Sequence, residues 1–136
     1  MAAAELINLA ALRAIAVQYD FSIHGGAVGS ISLRQKLPKS AILIHSVIEV
    51  LTAPTSGGSA TIAVNTEAAG DVLTATAIGS APWSSTGLKT ATPVIGTASG
   101  YIKTTADRDI TITVATAALT AGKFNIFLFY LMNTAG

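Results

Sequence analysis

Hydrophobic and polar residues alternate along much of this chain with the period of two that is typical of half-buried β-strands. Apolar side chains occupy every second position over residues 17–23, and polar ones occupy the positions between them. A glycine-rich stretch follows at residues 25–29, and the alternation returns over residues 31–34. This pattern predicts two strands joined as a hairpin by a loose loop, with Pro38 closing the second strand.

The longest alternating segment, residues 41–53, is apolar on both of its faces. One face carries Ile42, Ile44, Ser46, Ile48 and Val50, and the other carries Leu43, His45, Val47, Glu49 and Leu51. Such a strand is either central in a sheet that is covered twice or lends one face to another subunit. The turn residues 54–58 then predict a second hairpin, whose return strand spans residues 60–64.

The segment 123–132 is also apolar on both faces. One face carries Phe124, Ile126, Leu128 and Tyr130, and the other carries Asn125, Phe127, Phe129 and Leu131. Burial of a large apolar side chain contributes about 1.5–3 kcal/mol, so leaving the second face in water would forfeit several kcal/mol. We therefore expect another chain to cover Phe127, Phe129 and Leu131. Residues 120–122 predict the turn that introduces this strand.

The pattern between these segments is weaker because small residues and glycines dominate residues 67–100. Residues 71–78 predict a strand or a helical turn, whereas residues 92–95 and 101–103 predict short strands. Residues 110–114 alternate clearly again. The regular spacing of turns, without a long interior helix, predicts an all-β fold. We expect an antiparallel β-sandwich, with a jelly roll of about eight strands as the favoured variant.

The N-terminal residues carry a separate apolar signal. Residues 1–17 resemble a signal peptide in hydropathy, but Glu5 stands where a basic region is expected and Arg13 interrupts the apolar run. The same two charges argue against a membrane span. Residues 2–14 are rich in helix formers, which predicts a short helix, and an apolar arm that docks on a neighbour is the alternative. We therefore divide the chain into an N-terminal arm or helix (1–14) and one sandwich domain (15–136).

Composition points to association. Only 11% of the 136 residues are charged, while 51% are hydrophobic, and the formal net charge is +1. This charged share is about half that of an average soluble domain. A weakly charged exterior with little net charge favours association, so a partner surface is the first function to consider. The chain has no cysteine, which excludes disulfides, thiolate metal ligands and cysteine nucleophiles.

Residues that could carry catalysis or bind a metal do not form recognisable motifs. His24 and His45 lack the additional ligands that zinc requires. Asp107 and Asp109 flank Arg108 but lack the repeated oxygen ligands of a calcium loop. No Gly-x-Ser-x-Gly nucleophile motif and no phosphate-binding loop occurs. We therefore expect no enzyme activity, metal or cofactor.

Two further features have alternative interpretations. Arg34, Lys36 and Lys39 form the one cluster of like charge, which is too small for a nucleic-acid site. It is either a solvated loop or a surface that meets an acidic patch on a partner. Trp83, the single tryptophan, follows Pro82. It either fills a gap in the packing or offers a platform on which a sugar stacks.

Four stretches carry a resemblance to small structural proteins of tailed bacteriophages. They are GGAVGSISL (25–33), LPK (37–39), SGGSATI (56–62) and ALTAGKF (118–124). The resemblance implies a jelly-roll capsid decoration, or cement, protein. Such a protein sits on the outer capsid of the virion as a homodimer or homotrimer and ties major capsid subunits together. It also implies synthesis in the host bacterial cytoplasm. From the small basic cluster and the charges in the N-terminal apolar run we expect no nucleic-acid partner and no membrane partner.

The resemblance leaves two other functions open, namely a tail or head-fibre base domain and a carbohydrate-binding jelly-roll module. For the structural functions we expect a contact surface drawn from the apolar arm, the basic cluster and the second face of the last strand. The expected residues are Leu6, Leu9, Leu12, Arg34, Lys36, Lys39, Phe127, Phe129 and Leu131.

Overall fold

The computed structural model describes residues 10–133, which form nine β-strands. The strands are β1 (Ala10–Asp20), β2 (Gly29–Leu37), β3 (Ile42–Ser56), β4 (Thr61–Asn65), β5 (Leu73–Ala77), β6 (Gly87–Thr90), β7 (Ile102–Lys103), β8 (Arg108–Ala115) and β9 (Leu119–Asn133). Within the described residues, helix is limited to one α-helical turn, α1 (Phe21–His24), and a 3-10 turn at Ala98–Gly100. Neither of these short helical turns could span a lipid bilayer.

The strands form two antiparallel sheets. Sheet A has the order β1-β9-β3-β6, with the short β7 also paired to β3, and sheet B has the order β2-β8-β4-β5. Strands β1 to β4 alternate between the two sheets, and β9 returns to lie between β1 and β3. This order is that of a jelly roll, with two interleaved Greek keys. The predicted antiparallel sandwich is therefore confirmed.

Both predicted hairpins are wrong. β1 lies in sheet A and β2 in sheet B, and β3 and β4 are divided in the same way. The glycine-rich segments are chain reversals, as predicted, but each reversal carries the chain across the sandwich to the other sheet. Strand pairing is instead long-range, because β1 pairs along its whole length with β9. Alternation within a strand does not specify which strand is its neighbour.

The core lies between the two sheets and contains the residues that alternation assigned to it on β9. Phe124, Ile126 and Leu128 are fully buried, and Tyr130 nearly so. Sheet B contributes its own inward-facing residues, which are Leu33, Ile62, Val64, Ile110, Ile112 and Val114.

The predicted faces of β3 are correct beyond His45 and wrong before it. The pairing of β3 with β9 shifts between Leu43 and His45, so that one extra residue is inserted in β3. This β-bulge reverses the alternation, and it turns Leu43 into the core while Ile42 points away from it.

The turn predicted at residues 120–122 is also wrong. β9 begins at Leu119 and runs through Gly122, which has a φ of 144°. A Cβ atom at position 122 would lie only 3.1 Å from Cα of Pro54 on β3. The glycine therefore permits close approach of two strands, and the reversal itself occupies residues 116–118.

Other segments differ in detail. β1 begins at Ala10, so residues 10–14 form a strand and not a helix, and the boundary expected after residue 14 falls inside β1. The strand alternative is correct for residues 73–77, and part of the predicted strand at 101–103 is present as β7. Residues 92–95 form a loop, in which the carbonyl of Pro93 accepts a hydrogen bond from the Ser46 amide at 3.0 Å.

Candidate functional site

The outer face of sheet A, which points away from the core, carries rows of side chains that are apolar except for His45. Each row crosses three hydrogen-bonded strands, β1, β9 and β3, in register. The rows are Ala16, Phe127 and Val47; Ala14, Phe129 and His45; and Leu12, Leu131 and Ile42. Alternation brings these residues to one side, because neighbours in an antiparallel register share a face. We call this surface the outer A face.

The outer A face remains open to solvent. Leu12 is 64% exposed and Leu131 36%, whereas Phe127, Phe129 and Val47 are half-buried. At the far edge, Leu88 on β6 lies opposite Glu49 and is 73% exposed. Within residues 10–133 the strands form two sheets, and no third sheet lies on this face. The apolar second face that alternation predicted for β9 therefore exists.

A row of polar groups bounds the outer A face at one end. The side-chain amide of Gln18 donates from Nε2 to Asn125 Oδ1 at 2.8 Å, and Asn125 Nδ2 donates to Glu49 Oε1 at 3.0 Å. These three residues occupy one register row across β1, β9 and β3. The row fixes the orientation of all three side chains and separates the apolar rows from the end of the sandwich that carries α1.

A small apolar depression lies at the opposite end of the face. Leu12, Ile44, His45, Ile95 and Phe129 line its volume of about 150 Å³. The Ile95 amide donates to His45 Nδ1 at 3.0 Å, which holds the loop after Pro93 against β3. The imidazole also lies beside the Phe129 ring, with 5.9 Å between the ring centroids. His45 thus forms part of the wall of the depression and holds the loop that carries Ile95 in place.

The outer face of sheet B has a different character. Its central rows carry Ser30, Ser32, Thr111, Thr113, Thr61, Ala63 and Asn65. Asn65 Nδ2 donates to Thr113 Oγ1 at 2.9 Å and to Thr111 Oγ1 at 3.1 Å, while its Oδ1 accepts from the Gly70 amide at 2.7 Å. The outer face of sheet B therefore carries small and polar side chains, whereas the outer A face is apolar.

The structure divides the predicted contact residues into three sets. Leu12, Phe127, Phe129 and Leu131 lie together on the outer A face. Leu6 and Leu9 lie outside the described residues. Arg34, Lys36 and Lys39 are all exposed, but they lie on β2 and the turn after it. The basic cluster therefore belongs to the other sheet and is not part of the outer A face.

The basic cluster has acidic neighbours within the same chain. Lys36 lies opposite Asp109 in the pairing of β2 with β8, and the Lys39 amide donates to Asp107 Oδ1 at 2.8 Å. Asp107 thus fixes the turn after β2. The acidic neighbours reduce the local positive charge that would attract an acidic partner.

The other candidate residues have structural contacts. His24 Nδ1 accepts from the Asp20 amide at 3.1 Å, and its ring stacks on Tyr19. Trp83 is fully buried, with its ring centroid 4.6 Å from that of Phe124 and its indole N–H directed at the Ile62 carbonyl. Of the two alternatives for Trp83, the packing role is confirmed, because the buried ring is not accessible to a sugar. Among the described residues there is no cluster of three or more potential metal ligands.

A salt bridge between Arg108 and Glu67 at the end of sheet B was not predicted from the sequence. Arg108 Nε donates to Glu67 Oε1 at 2.7 Å, and the Thr105 hydroxyl donates to Glu67 Oε2 at 2.7 Å. The hydrogen bond from Arg108, followed by those from Thr105, lowers the pKa of Glu67 to about 2. The two partners are separated by 41 residues, so only the fold brings them together.

Comparison with known proteins reveals similarity of structure but not of sequence. No protein-family model matches the chain, and no curated protein does either. Among solved structures, a chain in the acidic stable capsid of Helicobacter pylori bacteriophage KHP30 superposes with a TM-score of 0.62 at 15% identity, covering 90% of this chain and 88% of that one. Chains from two further capsids match comparably.

The second is a chain in the capsid of Ralstonia phage GP4, with a TM-score of 0.57 at 20% identity and coverage of 88% and 84%. The third is a chain in the capsid asymmetric unit of cyanophage Pam1, with a TM-score of 0.61 at 18% identity and coverage of 90% and 86%. At such low identity the likeness is one of fold. Because coverage is high in both directions, each matched chain is similar in length to this one.

Proposed function

We propose that this protein is a structural component of a bacteriophage virion and acts as a head decoration, or cement, protein. In this role the outer A face docks on the outer capsid surface and bridges neighbouring major capsid subunits. The protein is synthesised in the cytoplasm of the host bacterium and assembles onto the head. In this role the protein catalyses no reaction and binds no cofactor.

The outer A face is the observation that carries this proposal. Phe127, Phe129 and Leu131 present large apolar side chains on a sheet surface that the described chain leaves open. Transfer of apolar surface out of water is the main favourable term in protein association, at roughly 25 cal/mol per Å². A role in which this face is permanently covered explains why the sequence keeps it apolar.

The contrast between the two sheets supports a position at the boundary between capsid and solvent. The outer face of sheet B is lined by small and hydroxyl-bearing residues, of which Ser30 and Ser32 are exposed to water. A protein that sits on a shell needs one face for the shell and one for water. The jelly roll provides both faces, because the outer faces of its two sheets lie on opposite sides of the molecule.

The comparisons favour the same setting. Three chains of similar length and fold occur in phage capsids. They match this chain over nearly its whole length, which supports a role for this fold in a phage head. A tail or head-fibre base domain is the structural alternative.

Copy number separates these structural roles. We would quantify the protein by mass spectrometry against the major capsid protein in purified virions of the phage that encodes it. A cement protein is expected in the order of hundreds of copies per particle, because it repeats with the capsid lattice. A few copies per particle would instead indicate the tail or head-fibre base, and absence from virions would overturn both.

A further inference from the structure

The first strand leaves one edge of sheet A unpaired. β1 pairs with β9 in an unbroken register from Ala10 opposite Asn133 to Asp20 opposite Lys123. On its other side, no strand within residues 10–133 is hydrogen-bonded to it. An open edge of this kind presents backbone N–H and C=O groups that can pair with another strand.

The other three sandwich edges carry features that discourage such pairing. β6 has only four residues, among them Gly87 and Lys89, and β5 has only five. β2 is interrupted by a register shift between Ser32 and Lys36, and Arg34 there adopts a φ of 64°. Short length, lysine and bulges are the usual protections of a sheet edge.

β1 lacks all of these protections. It has eleven residues, with no proline, no lysine and no register shift. Its charged residues are Arg13 near the start and Asp20 at the end. Natural sheets rarely leave an edge this long without protection unless it is paired.

We propose that β1 pairs with β1 of a second copy of this chain, antiparallel and about a two-fold axis perpendicular to the sheet. The charges favour this direction. An antiparallel pair brings the Arg13 end of each strand towards the Asp20 end of the other, whereas a parallel pair would bring like charges together. The two A sheets then form one continuous sheet.

The side chains are compatible with this pairing. A two-fold axis perpendicular to the sheet keeps the outer A faces on one side. Full overlap of residues 10–20 places Ala14 opposite Ala16 of the second copy and Ile15 opposite its counterpart. Ala14 and Ala16 are both exposed and small, so the strands can approach without a clash on the outer side.

Pairing at β1 also enlarges the docking surface. Four strands spaced about 4.8 Å apart and about seven residues long, at about 3.3 Å each, give roughly 440 Å² for one outer A face. A standard protein interface buries about 800 Å² on each partner. The joined faces of two copies reach about this area, whereas a single face provides about half of it.

The inference can be tested on the recombinant full-length chain by analytical ultracentrifugation. We expect a dimer of the 13.8 kDa chain at tens of micromolar, because a two-fold contact closes at two copies. The double variant A14K/A16K places like charges directly opposite each other across the contact, and so does A14E/A16E. Each should dissociate at least tenfold more readily than the wild type. An equimolar mixture of the two variants should restore a dimer, which also shows that both are folded.

The control variant is Leu88→Lys, which adds a charge to the outer A face at the opposite edge. It should leave the dimer unchanged. A monomeric or trimeric wild type would overturn the inference, and so would a dimer that withstands A14K/A16K. If L88K dissociates the dimer as strongly as A14K/A16K, the copies stack face to face and the edge pairing is wrong. None of these results depends on the number of copies in the virion, so this inference and the proposed function can fail separately.

Discussion

Phe127 on β9 lies directly opposite Val47 on β3, on the side of sheet A that faces away from the core. Ala16 on β1 occupies the other side of Phe127 in the same row. Phe127 and Val47 each cover part of the other's surface, but the rest of both side chains faces water. A sequence that places large apolar groups on both sides of its central strand gains from them only when a second surface covers the outer side.

The double variant F127T/F129T tests whether the outer A face binds the capsid. Threonine retains a high strand propensity, so we expect the isolated variant to fold, with a loss of about 1 kcal/mol for each half-buried ring. Binding to heads that lack the protein should weaken at least tenfold, because most of the apolar contact is removed. Cosedimentation of the purified variant with such heads measures the effect.

The matched control for this experiment is I23T/V28T. Both residues are exposed and apolar, but they lie in α1 and in the loop before β2. This variant removes two apolar groups of the molecule without altering the outer A face, and it should bind heads like the wild type. Equal loss of binding in both double variants would mean that general hydrophobicity, and not this face, drives attachment.

Gly122→Ala tests the close approach of β9 to β3. The added Cβ would lie 3.1 Å from Cα of Pro54, and the backbone φ of 144° disfavours any residue other than glycine. We expect a loss of about 2–4 kcal/mol in the free energy of unfolding, measured by urea denaturation. Gly57→Ala, where nothing lies within 4 Å of the added atom, should change stability by less than about 0.5 kcal/mol. Similar values for the two variants would show that no close contact exists at Gly122.

Stability in alkali should depend on Tyr19. Burial, with the charge of Asp20 as a smaller cause, raises the pKa of its phenol to about 12, and its hydroxyl donates to the Gly25 carbonyl at 2.6 Å. Because the folded state favours the neutral phenol, this contribution is complete below pH 10 and is lost as the pH rises through 12. Urea unfolding between pH 9 and pH 12 should show a decline that Tyr19→Phe largely removes. A wild type and a Y19F variant with parallel pH profiles would contradict this assignment.

Alternation along β9 was sufficient to predict which of its side chains face the core and which face outward. The inward set on β9, from Phe124 to Tyr130, is buried as expected, and Phe127 and Phe129 point outward. Side-chain direction follows directly from the two-residue repeat, so no knowledge of the partner strand is needed. The prediction of an apolar surface rested on this repeat alone.

The two-residue repeat could not predict which strands are neighbours or how neighbouring strands are aligned. The predicted hairpins were wrong because glycine-rich turns serve equally well to reverse a strand within a sheet and to cross between sheets. The bulge that turns Leu43 inward depends on the register with β9, and the role of Gly122 depends on its distance to Pro54. Leu88 and Ile95 were missed as parts of the outer A face because β6 is too short, and the loop before β7 too irregular, to show a periodic pattern.

Assembly onto the head should cover the outer A face, and hydroxyl-radical footprinting of the free and the head-bound protein measures this burial residue by residue. Phe127, Phe129 and Leu131 should be labelled at least several-fold less on the head than in solution, whereas Ile23 and Val28 should be labelled equally in the two states. Unchanged labelling of all three face residues on heads that carry the bound protein would contradict the account.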